Sequence, residues 1–221
     1  MRTRWSLGAV RRLPGLLIGL VGFGLGIAMM ARSDFGLGPW EVLNQGLGFR
    51  LGMPMGTIGI LTGVPILLCW IPLRQWPGPG TLINLVLIGV ATNAGLALLP
   101  IPAADQLIVR FGELVGGLLL IGVSSGVYLG ADLGAGPRDG LMTGLHHRFG
   151  WSIARARTGL EMTVLVAGWL LGGTIGIGTV LFAVGIGPIV QASLRVFDRD
   201  GRVMRRRVAV DAEPVPAEGV A

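Results

Sequence analysis

No lysine occurs in the chain: all 18 basic residues are arginine. Cysteine appears once, at Cys69, and histidine only as the adjacent pair His146 and His147. Charged residues make up 14% of the 221 positions, where a soluble domain carries roughly a quarter. Each shortage excludes something. A lone thiol rules out an internal disulfide framework, and no Cys/His spacing suits a metal ion. Two neighbouring histidines on a helix point to different sides, so they make a poor metal pair and are expected at an interface. There is no Ser-His-Asp order, no carboxylate pair in a soluble cleft and no Walker motif. Residues 22–26, GFGLG, lie inside an apolar run without the strand and helix that a dinucleotide loop requires. The expectation is therefore no enzyme, no cofactor and no metal. Without an ATP motif the chain alone cannot be a primary pump.

What is present is apolar. Hydrophobic residues make up 52% of the chain, and its mean hydropathy is +0.71. About 20 such residues in a row cross a bilayer as a helix. Six stretches qualify or nearly do: Leu13 to Ala31, Met55 to Leu73, Gly80 to Pro100, Gly112 to Ala131, Thr158 to Gly172 and Ile175 to Leu194. The fifth is short, and a turn from Ile153 to Arg157 would lengthen it. The first imitates a secretory signal peptide. It is nevertheless read as a working span, because the repeat described below includes it.

The net charge of +6 would suggest nucleic acid in a soluble protein. Here the arginines flank apolar runs. With six spans and a cytoplasmic N-terminus, fifteen arginines fall on the inner side, and Arg32, Arg50 and Arg110 on the outer side. That is the positive-inside bias. It predicts a plasma-membrane protein with both termini cytoplasmic and no nucleic-acid partner. Residues 1–12 form a basic N-terminus. Residues 195–221 form an Arg-rich tail, expected to be disordered and to touch anionic lipid through Arg205, Arg206 and Arg207.

The chain also repeats itself. Residues 36–52 read GLGPWEVLNQGLGFRLG and residues 134–150 read GAGPRDGLMTGLHHRFG, 98 positions later. Eight of the seventeen positions are identical, Glu41 is matched by Asp139, and Asp34 just upstream is matched by Asp132. Gly80-Thr81 and Gly178-Thr179 echo the same offset. Each half, 13–100 and 112–194, thus has a span, a Gly-Pro segment and two more spans. Three spans per half invert the second half relative to the first. This all-α architecture of two inverted three-helix repeats recurs in secondary transporters.

The repeated segment is too short and too polar to span. Pro39 and Pro137 suit the first turn of a helix. Trp40, Leu43 and Leu47 share one face of that helix, and Glu41, Asn44 and Gln45 another. Two readings are open: an amphipathic helix flat on the membrane surface, or a re-entrant half-helix whose N-terminus points into a polar cavity. In the second, two helix N-termini meeting from opposite leaflets would suit an anionic or polar substrate.

Ionisable residues inside spans are costly and mark function by default. Glu161 lies one turn into the fifth span, four residues after Arg157. The pair is either an interfacial anchor or a proton- or substrate-linked site, and the sequence does not separate these. Asn84 and Asn93 in the third span are expected to bond across helices, as is Gln191 in the sixth. Glu113 reads as an outer-interface residue, and the many glycines within spans as packing positions. The substrate path is assigned to Asp34, Pro39, Glu41, Asn44, Asp132, Pro137, Arg138, Asp139 and Glu161.

GLGPWEVLNQGL, GAGPRDGLMTGL and RTGLEMTVLVAGWLLGGTIGIGTVLFAVGIGP together resemble the YczE/YyaS/YitT family of bacterial integral membrane proteins. The resemblance covers nearly all of residues 13–194, and the YczE-like branch fits best. It implies a multi-pass plasma-membrane protein. Some relatives are linked to drug or secondary-metabolite export, but the family supplies no catalytic residues to carry over. The leading expectation is secondary transport of a small molecule. The rival is a non-transporting scaffold, contacting other membrane proteins or a second copy of itself laterally through Gly-rich helix faces.

Overall fold

A computed structural model describes residues 11–134, 136–198, 201 and 203. The basic N-terminal residues 1–10 and most of the Arg-rich tail lie outside the described residues. Eight helices follow one another, and no strand occurs among the described residues. They are α1 Leu13–Ser33, α2 Pro39–Leu51, α3 Met55–Cys69, α4 Pro79–Leu98, α5 Leu107–Gly130, α6 Pro137–Phe149, α7 Ile153–Leu170 and α8 Ile177–Phe197.

Four of these, α1, α4, α5 and α8, are long and apolar enough to cross a membrane. The pair α2–α3 meets the same test only jointly, with a bend of 110° between its halves. Two expected spans therefore differ. The second stretch ends its helix at Cys69 rather than Leu73, and Pro65 inside it removes a backbone donor. The fifth starts at Ile153, where the Ser152 hydroxyl accepts from the Arg155 N–H. Arg155, Arg157 and Glu161 then sit in its first turns, which makes α7 too charged to read as a span by composition.

The outward faces of the long helices are apolar. Ile18, Leu98 and Val184 are 69%, 81% and 72% exposed. An exterior of this kind suits hydrocarbon rather than water.

Glycine sets the packing within. A Cβ on Gly26 would lie 2.8 Å from the Gly117 carbonyl oxygen, and one on Gly117 would lie 2.7 Å from that of Gly26. Gly19 meets Tyr128 and Ser124 further along, so α1 and α5 run antiparallel with their backbones touching. Close approach of this kind is what small residues permit. By the same reading α1 runs parallel to α4, since Gly24 meets Ala91 and Gly95 meets Ala28. α5 runs parallel to α8, since Gly122 meets Ile189 and Gly126 meets Ser193.

Contacts recur in exchanged pairs at the offset of 98. The Gly178 N–H donates to the Phe35 carbonyl at 2.8 Å, and the Gly80 N–H donates to the Leu133 carbonyl at 3.1 Å. Thr81 Oγ1 accepts from the Gly78 N–H, and Thr179 Oγ1 accepts from the Gly176 N–H, closing the starts of α4 and α8. Gly46 packs on Leu171, and Gly144 on Leu73.

The repeated segments themselves form α2 and α6, of 13 residues each. Both have an extended Gly N-cap followed by proline, whose missing N–H costs nothing at a helix start. Both end on a glycine with φ +65°, the left-handed conformation favoured at helix C-termini. Glu41 and Asn44, on the polar face, are buried, while Phe49 and Leu51 are exposed. The polar side turned inward because it faces a cavity.

Candidate functional site

The N-termini of α2 and α6 open onto one cavity of about 220 Å³. Phe23 and Ile27 from the middle of α1, and Ile186 and Gly187 from the middle of α8, form part of its wall. Asn84, Ile88 and Thr92 of α4 and Ser125 and Tyr128 of α5 complete another part.

At its centre the two copies of the repeat touch. Arg138 Nη1 donates to Glu41 Oε1 at 2.8 Å. The guanidinium carbon also lies 4.8 Å from the centre of the Trp40 ring, within cation–π range. Trp40 and Arg138 are equivalent positions of the repeat, so their contact joins the halves at a position where the two copies differ. The Glu41 side chain is 6% exposed and that of Arg138 33%. A carboxylate so far from water requires such a partner. The Trp40 indole N–H is buried without a partner among the described residues.

Of the nine residues assigned to the path, seven line this cavity: Pro39, Glu41, Asn44, Pro137, Arg138, Asp139 and Glu161. Asn44 Oδ1 accepts from the Thr62 hydroxyl at 2.9 Å. Arg157 Nε donates to Glu161 Oε1 at 2.9 Å, with both side chains partly exposed at the cavity's edge. The Asp139 carboxylate makes no ion pair or hydrogen bond among the described residues.

Asp34 and Asp132 are not brought there. Both have positive φ, at 56° and 50°, and both sit where a long helix ends. The Asp34 carboxylate is 69% exposed and pairs with Arg110 at 3.3 Å. Arg110 Nε also donates to the Ser33 carbonyl at 2.9 Å, satisfying one of the carbonyls that a helix C-terminus leaves open. Both stand at a left-handed turn beyond a long helix.

The two asparagines of α4 divide. Nine residues is two and a half turns, which puts them on opposite faces. Asn93 Oδ1 accepts from the Gly56 N–H at 2.8 Å and its Nδ2 donates to Thr57 Oγ1, joining α3 to α4 as expected. Asn84 instead lines the cavity, 7% exposed, with no side-chain partner among the described residues. The expectation of a helix-to-helix bond is corrected there. Gln191 is exposed. His146 is buried, and its Nδ1 lies 2.7 Å from the Trp151 carbonyl oxygen. Sequence reading also missed Thr62, Tyr128 and Phe182. The last had a usable signal, since the offset of 98 matches Asn84 to Phe182.

No group of three or more His, Cys, Asp or Glu that could hold a metal occurs among the described residues.

Comparison with known proteins agrees with the resemblance noted from the motifs. A protein of Haemophilus influenzae is 37% identical over 203 residues, covering 90% of this chain and 92% of the relative. The Bacillus subtilis uncharacterized membrane protein YczE is 36% identical over 215 residues, covering 96% and 95%. YyaS of the same organism is 27% identical over 195 residues, covering 86% and 96%. No solved structure matches. These relatives and the apolar helices make this a membrane protein. Its residues 10–195 match the family of unknown function DUF6198, and the chain belongs to that family.

Proposed function

We propose that this protein is a secondary transporter or exporter of a small molecule in the bacterial plasma membrane. In this reading the chain crosses the bilayer six times in two inverted halves, with both termini cytoplasmic. Helix directions support it. With α1 and α4 parallel and both spanning, the return across the membrane between them falls in this reading to α2–α3. The same holds for α5, α6–α7 and α8. The antiparallel pairing of α1 with α5 then turns one half upside-down relative to the other. Exchanged contacts such as Gly178–Phe35 and Gly80–Leu133 are those expected of a pseudo-twofold axis between such halves.

The observation that carries the transport reading is the convergence of both short-helix N-termini on one polar-lined cavity. Broken or non-spanning helices meeting at an internal cavity are where transporters of inverted-repeat design bind their cargo. Alternating access requires that cavity to open to each side in turn. Ser125 lines it and differs from cysteine by one atom. In a Cys69→Ser background, Ser125→Cys should react with a membrane-impermeant maleimide in both right-side-out and inside-out vesicles. Reaction from one side alone, or from neither, would contradict transport and leave a packed scaffold.

A further inference from the structure

We infer that the central cavity selects a small organic cation, with Asp139 and Asn84 receiving its ammonium head. This rests on the cavity being the cargo site of the proposed transporter. It also departs from the expectation of an anionic or polar substrate, for a reason visible at the two helix starts.

Each helix N-terminus attracts negative charge, and each already has it. Glu41 and Asp139 lie in the first turns of α2 and α6. A Cβ on Gly38 would lie 2.7 Å from Glu41 Oε2, and one on Gly136 would lie 3.3 Å from Asp139 Oδ2. The two carboxylates therefore fold back over their own helix starts, where a bound anion would have to sit. Three carboxylates line the cavity against two guanidinium groups. Glu41 is matched by Arg138 and Glu161 by Arg157. Asp139 is left over.

The halves differ at the positions that matter. Glu41 has Phe182 beside Gly38, at 3.0 Å from a Cβ placed there. Asp139 has the equivalent residue, Asn84, beside Gly136, with Nδ2 at 3.8 Å and Oδ1 at 3.9 Å from such a Cβ. Asn84 is more than nine-tenths buried, lines the cavity and has no side-chain partner among the described residues. The polar atoms of Asn84 and Asp139 are not sealed in protein but reach the space of the cavity, and an ionisable group among apolar helices marks function by default. An ammonium group there can donate both to Asp139 and to the Asn84 carbonyl oxygen. Phe23, Tyr128 and Phe182 also line the cavity, and aromatic rings favour cations. An apolar cavity of about 150 Å³ holds benzene, so about 220 Å³ suits one ring with a short charged arm.

The test uses the full chain in detergent and calorimetry with three probes of similar size: 2-phenylethylammonium, 2-phenylethanol and phenylacetate. The ammonium probe should bind about tenfold more tightly than the alcohol, the effect of one charge-assisted hydrogen bond, and phenylacetate should bind least. Asp139→Asn should bring the ammonium probe down to the alcohol's affinity and leave the alcohol unchanged. Asp105→Asn, an exposed position outside the cavity, should leave the ratio within about twofold. Equal affinity for ammonium and alcohol, preference for phenylacetate, or a ratio unmoved by Asp139→Asn would overturn the inference. The wild-type ratio needs no variant to fold. Transport is read separately, by uptake of the permanently charged benzyltrimethylammonium into sealed vesicles. Selective binding without uptake would defeat the transport reading and leave the charge selectivity standing.

Discussion

Arg138 of one repeat donates to Glu41 of the other at 2.8 Å, across 97 positions of sequence. It is the shortest polar link between α2 and α6 among the described residues. Removing one partner strands the other in a poorly hydrated place. Glu41→Gln or Arg138→Gln should each lose about 2 kcal/mol of stability, while the double variant should lose less than the sum. Thermal unfolding in detergent checks this. Additive losses would mean that the two side chains do not interact.

The two asparagines of α4 should respond oppositely. Asn93 holds the Gly56 N–H and Thr57, so Asn93→Leu should cost about 1–3 kcal/mol. Asn84 holds nothing among the described residues, so Asn84→Leu should leave stability unchanged or raise it slightly. Equal losses at both sites would mean that Asn84 has a structural partner.

Glycine substitutions should sort by what surrounds them. Gly26→Ala drives a methyl group into the Gly117 carbonyl and should destabilise by about 1–3 kcal/mol. Gly159, within α7, has nothing within 4 Å of a Cβ. Gly159→Ala should stabilise by up to about 1 kcal/mol through helix propensity. A neutral Gly26→Ala would show that α1 and α5 pack less closely than described.

Trp70 is 2% exposed, and its indole N–H donates to the Pro137 carbonyl at 3.0 Å, over the notch left by Gly140. Trp70→Phe removes that donor and part of the buried ring system, with an expected loss of about 1–3 kcal/mol. Because Pro137 begins α6, the same variant should also weaken binding of the ammonium probe. Unchanged unfolding and unchanged affinity would show that Trp70 does not position α6.

Much of this was legible in the sequence, because hydrocarbon solvent imposes long apolar runs and Gly-Pro punctuation survives in both copies. α2 and α6 start at Pro39 and Pro137, and the glycines that end them, Gly52 and Gly150, were visible beforehand. The direction of the polar face was not legible. Glu41 and Asn44 alternate with apolar residues just as they would on a surface helix, and only the cavity behind them decides. Nor was it legible that Asp34 and Asp132 stand at left-handed turns outside the cavity. The asymmetry of Asn84 and Phe182 was present in the repeat, but only the fold brings each beside the start of a short helix.

The central claim is that the two halves are upside-down relative to each other, and one pair of equivalent positions tests it. Arg50 and Arg148, 98 apart, both lie exposed in the last turn of a short helix. In a Cys69→Ser background, Arg50→Cys and Arg148→Cys should each be labelled by an impermeant maleimide in sealed right-side-out cells or inverted vesicles. The account predicts Arg50→Cys labelled only from outside and Arg148→Cys only from inside. Labelling of both from the same side would contradict it.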